Sequence, residues 1–204
     1  MKLFRTLLLL SALIPAGLSA QEVKIPLLEK VKSSLVSFNY DYSSKTPGGK
    51  TFSLLTTGKV TMLGQAYKVE AKELEMELRS DGKDLWTLDL GAREAIVESA
   101  GEDLSGGAIF TNPALLIGYY SDVFLCTGGN GKFKLVPREG GDPSSIDLKV
   151  SGENGPVEAT FRMKDGSEYL FVLKDLRFWY PEKSDKFSFS AKDLGSDWLI
   201  TDLR

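Results

Sequence analysis

Between residues 36 and 98 apolar side chains return at every second position, and a chain with that rhythm has one straightforward solution, an antiparallel sheet of hairpins. Val36, Phe38, Tyr40 and Tyr42 alternate with Ser37, Asn39, Asp41 and Ser43. After the turn residues Thr46-Pro47-Gly48-Gly49, the positions Phe52, Leu54, Thr56, Gly58, Val60 and Met62 repeat the pattern. Tyr67, Val69 and Ala71 follow, then Leu74, Met76 and Leu78 set against Glu73, Glu75 and Glu77, which predicts a strand with one apolar and one wet, acidic face. Ser80-Asp81-Gly82-Lys83 has a hairpin turn's chemistry, because Gly82 supplies the positive φ such turns need. Leu85 to Leu90 and Glu94 to Glu98 are the next two strands.

Two segments depart from this rhythm. Ile25, Leu28, Val31 and Leu35 recur at spacings of three and four, predicting a helix over residues 24–35 with Pro26 in its first turn. Asn112-Pro113 is a helix entry of cap and first residue, opening an apolar helix through Tyr120 with Val123, Phe124 and Leu125 beyond. The alternation resumes at Phe133–Pro137, Ile146–Val150, Val157–Met163, Tyr169–Leu173 and Asp175–Tyr180, with Phe187 and Phe189 as a last alternating pair. About ten strands and two helices in sequence predict a mainly β fold with helices (α+β). The expected form is a strongly curved antiparallel sheet, or incomplete β-barrel, whose helices cover an apolar concave face.

The ends and the composition narrow the function. Lys2 and Arg5, the apolar run Leu7–Ile14 and the small residues of Leu18-Ser19-Ala20 predict a signal peptide over 1–20 that is cleaved after Ala20, leaving a single domain, 21–204. Its removal takes two basic groups from a chain already at net −3, and lysines stand scattered among acids, so nucleic acid is an unsuitable partner. Cys126 is the one cysteine, which excludes an intrachain disulfide. The chain contains no His, which excludes Ser-His-Asp and Cys-His nucleophiles and the usual zinc and iron ligand sets. Glu73, Glu75 and Glu77 read as a solvated face rather than a catalytic pair, and Gly128-Gly129-Asn130-Gly131-Lys132 as a turn rather than a phosphate loop. The expectation is a non-enzymatic protein without cofactor or metal.

What remains is apolar surface. A space enclosed by a curved sheet would be faced by Phe38, Tyr40, Val60 and Met62, then by Tyr67, Val69, Leu74 and Met76. Leu88, Phe161, Met163, Phe171 and Phe178 would complete the sheet side, and Leu115, Leu116 and Tyr119 the helix side. The same alternation serves equally for a dry, filled core.

Several of these pieces, in this order, resemble the outer-membrane lipoprotein carrier family of the LolA type. They are the leading helix with Leu28, Val31 and Leu35; Gly58-Lys59-Val60; Ser80 to Trp86; Asn112-Pro113-Ala114-Leu115-Leu116; and the late segments Phe178 to Pro181 and Phe187-Ser188-Phe189. The resemblance implies a soluble periplasmic carrier that holds the acyl chains of lipoproteins in an apolar cavity under a helical lid. It further implies an inner-membrane ABC-type lipoprotein-releasing complex as donor, an outer-membrane acceptor, and a monomeric carrier. Another lipid or apolar ligand, or a structural envelope role, is compatible with the same fold. In the segment Gly64-Gln65-Ala66-Tyr67-Lys68-Val69, Lys68 stands where the family carries a lid-related Arg, and Val69 where it carries Trp.

Overall fold

The computed structural model describes residues 22–100, 112–179 and 187–204. The expected signal peptide, the loop at 101–107 and the segment Tyr180-Pro181 lie outside the described residues. Helix α1 spans Pro26–Lys32 and helix α2 spans Pro113–Val123. Among the described residues no helix is long and apolar enough to cross a membrane.

The strands are β1 (Leu35–Lys45), β2 (Ser53–Leu63), β3 (Ala66–Ala71), β4 (Met76–Ser80), β5 (Asp84–Asp89) and β6 (Glu94–Ser99). After α2 come β7 (Phe124–Gly129), β8 (Lys132–Pro137), β9 (Ser145–Val150), β10 (Val157–Arg162), β11 (Glu168–Trp179) and β12 (Leu199–Asp202). All twelve form one sheet in the order β12-β6-β5-β4-β3-β2-β1-β11-β10-β9-β8-β7. Every pairing is antiparallel except β12 on β6, which is parallel. The centre is the pair β1–β11, which joins two meanders, β1 to β6 and β7 to β11.

The fold is mixed α/β with a large, mostly antiparallel sheet, and the expected incomplete barrel is overturned: the sheet is neither closed nor strongly curled. Its edges, β7 and β12, stand at opposite ends of the strand order. The β7 edge is taken by the chain leading into α1, where the Val23 N–H donates to the Cys126 carbonyl at 2.9 Å. More decisively, the buried face changes along the sheet. From β3 across to β7 one face carries the core, with Phe38, Val60, Val69, Phe171, Ala159, Leu148, Leu135 and Cys126 all at most 2% exposed. In β5 and β6 the register places Trp86, Leu88, Ala95 and Val97 on the other face. There they form a second cluster under Phe189, Leu194 and Trp198. A barrel keeps one face inside throughout; this sheet is apolar on one face over most of its width and on the opposite face at one end.

Local differences from expectation have visible causes. Helix α1 stops at Lys32 because the Ser33 hydroxyl donates back to the carbonyls of Glu29 and Lys30 and the chain turns into β1. Phe124 and Leu125, read as helix, open β7. The strands expected at Tyr169–Leu173 and from Asp175 onward are one strand, β11, bulged where Asp175 takes φ 58° and its carboxylate accepts from Asn39 Nδ2 at 2.9 Å. Phe187 and Phe189 are not in a strand; Phe189 caps the second cluster edge-on to Trp86, with ring centroids 5.3 Å apart.

Gly58 shows how closely the centre is packed. A Cβ there would run into the Glu70 carbonyl oxygen and stand 2.5 Å from the Tyr40 ring, whose hydroxyl donates to that same carbonyl at 3.2 Å. Gly58→Ala is expected to cost about 1–3 kcal/mol of stability by overpacking, measured as a shift of the urea midpoint at unchanged slope. An unchanged midpoint would mean that the Tyr40 ring is free to move aside.

Candidate functional site

The two helices lie on the main apolar face, and their seating begins with caps. Asn112, 2% exposed, accepts from the Ala114 N–H at 2.9 Å, and Pro113 follows at the first helical position. Asn112 also hydrogen-bonds Tyr67 on β3, so the start of α2 is tied to the sheet. Burial pushes the Tyr67 phenol up to about 12 against the opposing pull of that hydrogen bond, so it stays a neutral donor.

Tyr120 links α2 to α1. Its hydroxyl accepts from the Ile25 N–H at 2.9 Å and donates to Glu29 Oε1 at 2.9 Å, with the side chain fully buried. Burial, reinforced by the Glu29 carboxylate, holds the Tyr120 phenol well above its ordinary value. Lys32 adds a 3.2 Å hydrogen bond to Ser121 and places its ammonium 5.6 Å from the centre of the Tyr120 ring.

Beneath the helices the sequence-derived candidates gather closely. Phe38, Tyr40, Val60, Met62, Tyr67, Val69, Phe161 and Phe171 join Leu115 and Leu116 in one cluster. Tyr119, Met163 and Phe178 sit half-buried at its margin. The aromatics interlock: Phe171 stacks on Tyr42 at 4.4 Å and meets Tyr40 and Phe161 edge-on at 5.8 Å. These side chains fill the space between sheet and helices.

Four candidates fall elsewhere. Leu88 belongs to the second cluster on the opposite face. Leu74 is 51% exposed in the β3–β4 turn, and Met76 is half-buried where β4 begins. Lys68 points away from the helices. It sits 2.5 Å from Glu70 and 3.0 Å from Glu77, and Arg79 also pairs with Glu77. Burial pulls the Lys68 ammonium down, but hydrogen bonds to Glu70 and Glu77 outweigh it and hold its pKa above the ordinary value. Glu77, expected on a wet face, is 8% exposed beside these cations, while the Arg79 guanidinium lies 4.4 Å from the Phe189 ring centre. Lys68 therefore helps anchor the C-terminal segment's covering of the sheet.

An open groove of about 680 Å³ lies at the start of α1. Ile25, Pro26, Leu27, Phe133 and Val150 supply apolar walls; Lys30, Asn130, Gly131, Gly152 and Glu153 supply the rim. Lys30 spans the mouth, 3.1 Å from Asn154 Oδ1 and 4.1 Å from the Phe178 ring centre. The sequence reading missed this wall. Phe133 and Val150 alternate with the strands they belong to, but nothing in the sequence places two hairpin ends against a helix start. The buried positions Leu135, Ile146, Leu148 and Leu173 were within reach of the same period-two pattern.

Among the described residues no group of three or more His, Cys, Asp or Glu side chains is placed to hold a metal ion. Burial, with Glu22 adding, raises the Cys126 thiol, which favours the unreactive protonated form.

With this geometry in place, comparison with known proteins is informative about fold. The chain is structurally similar to members of the LolA superfamily at low identity and high coverage. One is a LolA superfamily protein from Nitrosomonas europaea, at 13% identity over 80% of this chain and 96% of that one, with a TM-score of 0.46. An uncharacterized conserved protein from Thermus thermophilus matches at 13% identity over 87% and 95%, with a TM-score of 0.49. MucB, in its complex with MucA(peri), matches at 13% identity over 82% of this chain and 58% of that one, with a TM-score of 0.35. No family model and no curated protein matches the chain. Likenesses this distant concern the fold and carry nothing about ligand.

The polar contacts can be tested one at a time. Tyr120→Phe leaves the Ile25 N–H without its acceptor inside the core, for an expected loss of roughly 1–3 kcal/mol by urea unfolding. Glu73, whose carboxylate accepts from the Thr57 N–H at 2.6 Å and from the Thr56 hydroxyl at 2.9 Å, is held down at about 2 against an ordinary 4.5. Its stabilisation is complete above about pH 4.5 and is lost as pH falls toward 2. An NMR titration should find it ionised at pH 3, and Glu73→Gln should flatten stability across that window.

Proposed function

We propose that the chain is a non-catalytic periplasmic carrier that takes the acyl chains of lipoproteins, beginning at the groove beside α1. The carrying observation is that groove, because its apolar walls and polar rim suit a flexible hydrocarbon with a polar end, and its size is in the ordinary ligand range of roughly 300–1,000 Å³. Each buried CH₂ contributes about 0.8 kcal/mol, so a short stretch of chain gives useful but reversible binding. The segments resembling LolA-type carriers, Ser80 to Trp86 and Asn112 to Leu116, lie in the β4–β5 hairpin and at the entry of α2, and they support the same reading. In this proposal residues 21–204 act as one monomeric domain after loss of 1–20. An inner-membrane ABC-type lipoprotein-releasing complex is the donor, and an outer-membrane acceptor is the recipient.

One observation favours a second reading, an envelope protein with a structural role: the cluster beneath the helices is already filled by Phe38, Phe161, Phe171 and Tyr120, each at most 1% exposed. Native mass spectrometry of the protein after co-expression with a tagged lipoprotein separates the two. The carrier reading expects a 1:1 complex that disappears when the lipoprotein lacks its acylated Cys, and that weakens about tenfold with Phe133→Ser plus Val150→Ser. Free lipid without lipoprotein would move the cargo to another lipid class. Bare protein, under conditions that preserve an established carrier complex, would favour the structural role.

A further inference from the structure

The end of the sheet formed by the β1–β2, β3–β4 and β5–β6 turns carries an apolar row with no cover among the described residues. Phe52, Leu54 and Leu55 are 36%, 58% and 40% exposed, Leu74 is 51% and Leu90 is 47%. The three turns are fastened side by side: the Lys72 N–H donates to the Thr57 carbonyl at 2.9 Å, and the Leu90 N–H to the Glu75 carbonyl at 2.8 Å. Glu73 clamps Thr56 and Thr57 from the neighbouring turn. The row is thus presented by a braced sheet end.

Its charge is unlike the rest of the molecule. The chain is net acidic, yet from Tyr42 to Val69 it contains four Lys and neither Asp nor Glu. Lys68 is neutralised on the far face of the sheet by Glu70 and Glu77. The other three, Lys45, Lys50 and Lys59, belong to β1, β2 and the tip between them. Lys50 and Lys59 make no ion pair among the described residues, and Lys45, paired with Glu168, lies 5.1 Å from the Phe52 ring centre. The acids of the adjoining turns face inward onto backbone: Glu73 on Thr57, Asp89 on the Ala92 N–H.

We propose that this end of the sheet docks on an anionic lipid bilayer surface, with Phe52, Leu54 and Leu55 entering the headgroup boundary and Lys50 and Lys59 meeting lipid phosphates. Exposed aliphatic and aromatic side chains flanked by unpaired lysines are the two components of interfacial membrane binding, apolar insertion and attraction to anionic lipid. An apolar patch alone would suit a protein partner as well; the acid-free run of lysines selects the lipid. The docking site stands at the far end of β2 from Met62 and is independent of the groove beside α1, so it goes beyond the carrier reading and does not need it.

The test is flotation of the purified protein with vesicles of phosphatidylethanolamine and phosphatidylglycerol, compared with vesicles of phosphatidylcholine. Binding is expected to the anionic vesicles only, and to fall as salt rises. Lys50→Gln plus Lys59→Gln should lower it about fivefold per lysine removed, and Leu54→Ser plus Leu55→Ser should abolish it. Leu199→Ser plus Leu203→Ser, equally exposed but at the β12 edge, should leave it unchanged. All six positions are at the surface, so unchanged thermal midpoints confirm folded variants. No binding to anionic vesicles, or binding that survives both tip variants, overturns the proposal. So does a dimer in sedimentation that Leu54→Ser plus Leu55→Ser converts to monomer, since a second copy would then be what covers the row.

Discussion

The sheet depends on one long-range pairing, β1 against β11. Leu35 faces Trp179 at one end and Lys45 faces Glu168 at the other, so the first strand of the chain is matched to a strand from its far half. Each half is otherwise a run of local hairpins whose neighbours follow from sequence order. Without the β1–β11 seam there are two partial sheets, neither with a complete core. With it, Tyr40, Tyr42, Phe161 and Phe171 meet across the join in stacked and edge-on contacts. Both helices then have a continuous apolar surface to cover.

The helices are held over that surface by few but specific polar bonds. Tyr120 satisfies the Ile25 amide that a helix beginning with Pro26 leaves open, and uses its own proton on Glu29. Asn112 does the same work at the start of α2 and reaches Tyr67 as well. Burial in a low-polarity surround strengthens such bonds and makes their loss costly. The covering layer is therefore fixed at two polar points and elsewhere rests on non-directional apolar contact, an arrangement that favours a helix pair shifting as a unit.

Much of this was legible in the alternation. Val36 to Tyr42, Val60 and Met62, and Val157 to Phe161 fall on the buried face as the period-two pattern required, and Asn112-Pro113 opens α2 as its cap chemistry required. Three things were not. Closure was inferred from a count of hairpins, but hairpins fix neighbours and leave the edges undetermined. The face of β5 was misassigned because Trp86 and Leu88 alternate as cleanly as any core pair, and alternation does not say which side of a sheet is buried. The Glu73-Leu74-Glu75-Met76-Glu77 run was read as one strand. It is a turn followed by a strand, with Glu75 at φ 50° and Glu77 buried against Lys68 and Arg79. The groove beside α1 depends on tertiary placement of turns, which no local pattern encodes.

The parallel strand β12 has a consequence in time. β6 gains its outer neighbour only from the last residues of the chain, and the cluster around Trp86 is roofed only by Phe189, Leu194 and Trp198. β1 likewise waits for β11. Both ends of the first meander are completed by segments synthesised late, and such distant contacts form slowly. A chain emerging in order from its N-terminus would hold its early strands unfinished until the end arrives, which delays folding and keeps the polypeptide threadable for as long as it is still being made.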